Sequence, residues 1–285
     1  MLLSALRRLD RRWVYLAVLL SAAFPMMFGV KLHASPPTVA ARKLFDEVSA
    51  IPDGSAVIVS FDFEPGSEVE LAPAALVVVR QLFARHCRIV SLALWPAGST
   101  EARKHLGMVA DEFARAGTPK VYGVDYVNLG YKAGGAAVLR QMGSSFSTVF
   151  PKDVDGTPVD QLPLMTKVNR FRDVAFVFSF SVGTPGMREW VNVVNTEYGV
   201  KIGGAVTGVS VPETMPFLDS GQLSGLLGGL RGAADYETLV HQPGSATAGM
   251  NVQNFVHLLI LALIVLSNIL YFTDPARRRR RAKNR

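Results

Sequence analysis

The chain has 285 residues, 49% of them hydrophobic, with a mean hydropathy of +0.24 and a formal net charge of +7. Its basic residues crowd at the two ends and leave the middle near neutral, a distribution that excludes nucleic acid as a partner. A single cysteine, Cys87, excludes an internal disulfide, and no Cys/His spacing for zinc exists.

Residues 1–12 form a basic N-terminus containing Arg7, Arg8, Arg11 and Arg12. Trp13 to Val30 is an uncharged run of 18 residues, close to the ~20 needed to cross a bilayer, and it predicts a first transmembrane helix. A cleaved signal peptide is the alternative. The long core, and the want of an A-x-A site in "KLHASPP", favour an uncleaved anchor. Residues 31–53 read as a linker with a short amphipathic helix.

From 54 to 245 strand and helix patterns alternate. "SAVIVSFDF", "RIVSLALWP", "KVYGVDYVNLG", "DVAFVFSFS" and "VKIGGAVTG" read as strands, with helices between them, a long loop over "FPKDVDGTPVDQLPLM", and Gly-rich helices up to about Val240. Apolar strands separated by helices predict an α/β domain: a single doubly wound, mostly parallel Rossmann-like sheet between two transmembrane helices.

The first strand ends in acids. Asp62 and Glu64 stand at its carboxyl end, where doubly wound sheets place ligands. Two carboxylates there can hold a cation or act as acid and base, but no histidine follows at ligand spacing, and no metal or cofactor is expected. After Pro65-Gly66, "SEVE" fits a capping box in which Ser67 caps a helix and Glu70 reaches back.

Asp125, Lys132, Gly134, Gly135 and Ser181 complete the candidate ligand site. The glycines open a helix after a strand, a position that favours anions. A tight turn with close packing is the simpler reading of them. No catalytic motif is present: there is no G-x-S-x-G elbow, and the five histidines, His33, His86, His105, His241 and His257, show no pairing with a serine and an acid. Cys87 reads as a buried, inert thiol.

In "SGQLSGLLGGLRGAADYE", Gly221, Gly225, Gly228, Gly229 and Gly232 would line one stripe of a helix. Each glycine costs a helix ~1 kcal/mol relative to alanine, so something must approach closely. The stripe is internal packing, an interface with another copy or another membrane subunit, or a helix dipping into the membrane surface. Arg231 is placed to pair with Asp235 or Glu237.

Val252 to Phe272 is a second predicted span of 21 residues, with polar Asn254, His257 and Asn268, and residues 273–285 form a basic tail. Under the positive-inside rule both termini are cytoplasmic and the domain lies across the membrane.

Residues 203–229, "GGAVTGVSVPETMPFLDSGQLSGLLGG", resemble the last strand, loop and helix of type I periplasmic solute-binding proteins. That likeness covers about a tenth of the chain and implies ligand binding in a cleft, although those proteins have two lobes where this domain has length for one. The layout is also similar to uncharacterised bacterial two-span membrane proteins with an extracytoplasmic Rossmann-like domain, a family that implies no activity. The expected function is therefore a non-catalytic, membrane-anchored subunit that self-associates or joins a larger complex. A small-ligand sensor and an extracytoplasmic hydrolase are the alternatives.

Overall fold

A computed structural model describes residues 10–30 and 36–273. The basic clusters at Arg7, Arg8 and 277–285, and His33 in the linker, lie outside the described residues. The chain divides into two compact units, Pro36–Thr247 and a second made of 1–35 with 248–285.

The larger unit is built on six parallel strands: β1 (Ala56–Asp62), β2 (Arg88–Ala93), β3 (Tyr126–Tyr131), β4 (Phe176–Ser181), β5 (Ile202–Val206) and β6 (Gly225–Gly228). Their order across the sheet is β3-β2-β1-β4-β5-β6. The strand order reverses between β1 and β4, so the crevice beyond these two strands is the topological switch point of a doubly wound sheet. β1 is buried along its whole length, as a central strand covered on both faces must be.

One face is covered by α3 (Glu68–Ala84) and α4 (Gly98–Arg115), and Phe61 packs there against the His105 ring of α4. The other carries Ile58, Val90 and Val177, and it joins a core with α5 (Ala136–Ser144) and the buried Trp190, Val191 and Val194. Trp190 sits in a π-helical stretch, Trp190–Asn195, inserted between two short α-helical turns where the sequence predicts a continuous helix. An inserted π-turn swings the following side chains relative to an α-helix.

The predicted glycine helix is not formed. Gly225 and Gly228 bound β6, Gly221 lies in a turn with φ +78°, and Gly229 opens α7 (Gly229–Leu239). α6 (Val211–Asp219) precedes the turn, so "SGQ" is not the helix start that the solute-binding resemblance implies. Close approach inside the domain explains the small residues. A Cβ on Gly225 would lie 2.4 Å from the backbone of Leu44, one on Gly232 2.6 Å from Leu227 Cα, and one on Gly228 2.6 Å from Val211 Cγ2. Leu44 belongs to α2 (Val39–Ala50), so the helix expected in a linker is an integral layer over β5 and β6.

Both ends of this unit are held by α7. Asp235, 4% exposed, accepts from the Thr38 N–H at 2.9 Å and from Arg231 at 2.7 Å. Arg231 also donates to the Pro36 carbonyl at 3.1 Å. Two residues on, the Glu237 carboxylate accepts from the N–H groups of Gly244, Ala246 and Thr247 at 2.8, 3.0 and 2.8 Å, and from the Thr247 hydroxyl. It thereby satisfies the open first turn of α8 (Ser245–Phe272), where a negative charge is favoured. Arg231 therefore pairs with Asp235, while Glu237 caps a helix.

The smaller unit contains α1 (Arg11–Phe28) and most of α8. α8 begins seven residues before the predicted span, and it is the one helix among the described residues that is long and apolar enough to cross a membrane. α1 has 18 residues, as many as the first predicted span, but it starts and ends two residues earlier. From Trp13 it reaches only to Phe28 before Gly29 turns left-handed with φ +62°, a rise of about 24 Å against ~30 Å of hydrocarbon.

Candidate functional site

Asp62 ends β1 at the switch point, but no part of it reaches solvent. Ser60, two residues back on the same face, donates to Asp62 Oδ2 at 2.7 Å, and the Trp190 indole N–H donates to the same oxygen at 3.1 Å. The Leu94 N–H, just past β2, donates to Oδ1 at 2.7 Å. Burial outweighs these three donors and, with a smaller push from the nearby Glu189 charge, raises the Asp62 pKa to about 6.

The register pairs Ser60 with Ser179 and Asp62 with Ser181, so these four residues form a polar strip on one face of β1 and β4. Ser181 Oγ accepts from the Met187 N–H at 3.1 Å. Ser179 Oγ is buried and has no hydrogen-bond partner among the described residues.

The mouth of the crevice is filled by the chain itself. The Trp95 indole donates to the Pro185 carbonyl at 2.6 Å, and Pro185 follows a cis peptide bond. Trp190 is 0% exposed beneath. The free space left beside Ser181, Thr184, Ser210 and Thr214 is about 10 Å³, room for a single water.

The other residues expected at this site are not gathered here. Glu64 is exposed past the strand end. Asp125 precedes β3 and therefore lies at the amino edge of the parallel sheet, opposite Asp62. Its carboxylate closes a turn by accepting from the Val121 N–H at 2.7 Å. Lys132 is exposed at the carboxyl edge. Gly134 and Gly135, with φ +133° and +49°, turn the chain into α5, and a Cβ on Gly135 would press on Pro185 at 3.3 Å. Their glycine character answers to a turn and a close approach. The capping box is not formed either: Ser67 makes no side-chain cap, and Glu70 accepts from the Gly208 N–H at 2.8 Å.

A second polar group stands at the same edge of the sheet, between α3 and α4. Glu68 opens α3, and Glu101 and His105 lie one turn apart on α4. Each offers a ligand atom within 4.8 Å of the others. His105 is 1% exposed and stacks on Phe61, with rings inclined by 9°.

His105 Nδ1 lies 2.8 Å from the Glu101 carbonyl oxygen. The tautomer inferred from that contact carries its proton on Nδ1 and leaves the Nε2 lone pair facing Glu68 Oε1 at 3.5 Å. Glu101 is 4% exposed, and its Oε2, 3.6 Å from His105 Nδ1, receives no hydrogen bond among the described residues. Lys104 donates to Glu68 from solvent and holds that carboxyl below the usual range. The sequence carries a trace of this group in the Glu101-to-His105 spacing, but nothing in it points to Glu68.

No family model, curated protein or solved structure matches this chain. The site is therefore read from its own chemistry. At the switch point a satisfied, buried carboxylate is sealed by two tryptophans; at the same edge of the sheet an imidazole and two carboxylates converge.

Proposed function

We propose that this protein is a membrane-anchored, non-catalytic subunit that presents its Rossmann-like domain on the extracytoplasmic side and acts through contacts with other copies or subunits. The observation that carries this reading is the sealed switch point. Where such a sheet would admit a ligand, Trp95, Pro185 and Trp190 occupy the space and Asp62 is committed to three donors.

Membrane attachment is supported by α8, whose apolar window is 0% buried. In this reading α1 spans as well, with Arg11, Arg12 and Trp13 drawn to the interface to make up its short length. Arg11 and Arg12 in the first turn of α1, and the arginine-rich tail after α8, orient both termini to the cytoplasm. Both ends of the domain being tied to one helix, α7, fits a domain held at two points by one membrane.

Native mass spectrometry of the full chain in mild detergent tests the subunit reading. An oligomer or a defined complex is expected, and a strict monomer that copurifies with nothing overturns it. Tags at the two termini should resist protease added to intact cells; cleavage at either overturns the orientation.

A small-ligand sensor is the second reading. It is favoured by the orphaned Ser179 hydroxyl and by the single-water space beside Ser181.

A further inference from the structure

We propose that Glu68, Glu101 and His105 form a binding site for one divalent transition-metal cation, best matched by Zn²⁺ or Mn²⁺, at the carboxyl edge of the sheet between α3 and α4. Three independent features converge on it.

The first is geometry. Three ligand atoms lie within 4.8 Å of one another, and Glu68 Oε1 and His105 Nε2 are 3.5 Å apart. Two donors bound to one zinc at ~2.1 Å in tetrahedral geometry sit roughly 3.4 Å apart. That pair already spans one edge of a coordination tetrahedron.

The second is the state of Glu101. A carboxylate oxygen 4% exposed and without a hydrogen bond is costly, because burial strips its water and nothing replaces it. A cation between Glu101 and Glu68 supplies the missing partner.

The third is the orientation of the imidazole. Nδ1 is engaged by the Glu101 carbonyl at 2.8 Å, and Phe61 stacks on the ring. A histidine whose other nitrogen donates to a backbone carbonyl is held in the tautomer that ligates through Nε2.

One nitrogen and two carboxylates suit zinc or manganese better than magnesium or calcium, which prefer an all-oxygen shell. Three protein ligands leave a position for water. Lys104 competes for Glu68, but it is exposed and free to swing away as the cation enters.

The test uses the full chain in detergent, stripped with chelator and titrated with Zn²⁺, Mn²⁺ and Mg²⁺ by calorimetry, with bound metal counted by elemental analysis. One Zn²⁺ or Mn²⁺ per chain is expected, with Mg²⁺ far weaker. Glu68→Gln, at a partly exposed position where the fold is safe, and Glu101→Gln should each weaken binding by about ten-fold or more.

Co²⁺ in place of zinc gives a second readout: visible bands of low-symmetry coordination that disappear in His105→Gln. The proposal is overturned if the wild-type chain binds no metal, or if every variant binds as the wild type does. The latter result marks binding at other histidines or at the termini. Unchanged circular dichroism separates ligand loss from unfolding.

Discussion

Asp62 and Glu101 are both buried acids at the carboxyl edge of one sheet, and the protein treats them in opposite ways. Asp62 receives hydrogen bonds from Ser60, Leu94 and Trp190. Glu101 Oε2 receives none, and it faces an imidazole and a second carboxylate. A buried carboxylate surrounded by the chain's own donors is finished architecture. One left bare beside ligating side chains keeps its capacity for something from outside.

Four measurements test this contrast. The largest effect is expected at Trp190. Trp190→Ala removes the plug and a donor to Asp62, and it should cost about 3–5 kcal/mol in urea unfolding. A loss below ~1 kcal/mol would mean that the crevice is not sealed by this side chain.

Next is the pH profile. Asp62 has a folded pKa raised to about 6 from 3.8. The native state therefore holds the proton more tightly than the unfolded chain. Its stabilising contribution is complete below pH ~4, fades as pH rises toward ~6, and is then gone, a change of about 3 kcal/mol. Asp62→Asn should remove this fall, so the difference between the wild-type and variant profiles isolates it from other acids. Identical profiles would show that Asp62 is not the buried acid described.

Glu237 extends the finished class to the domain's exit. Glu237→Gln replaces an acceptor of four hydrogen bonds with a group that accepts on one side only, and it should cost about 2 kcal/mol. Hydrogen exchange should quicken first at Ala246 and Thr247. The smallest effect is expected at Glu101: Glu101→Gln in metal-free protein should change stability by no more than ~1 kcal/mol in either direction. A loss of 3 kcal/mol or more would place Glu101 with Asp62 as a structural acid.

Five strands and the alternation that joins them are legible in the sequence, because parallel strands buried on both faces read as continuous apolar runs. The sixth is not. Gly225–Gly228 has four residues, two of them glycine, and its burial depends on Leu44 in a helix about 180 positions earlier in the chain. Local spacing favoured a helix there, and a distant contact decided otherwise. The switch-point position of Asp62 is equally legible, but its closure is not, since Trp190 arrives from 128 residues away. Asp125 and Asp62 both adjoin strands, which makes them look like neighbours in the sequence. It precedes β3, whereas Asp62 ends β1, and in a parallel sheet those are opposite edges. The Ser67 and Glu70 pattern was a valid local rule that lost to a tertiary partner, the Gly208 N–H.

The anchoring of both domain ends on α7 has a mechanical consequence. Asp235 grips the entering chain and Glu237 the departing one, two residues apart. Tension applied between entrance and exit is borne across that short helical bracket. The strands lie outside the loaded path, so the first load falls on these two carboxylates and not on the sheet.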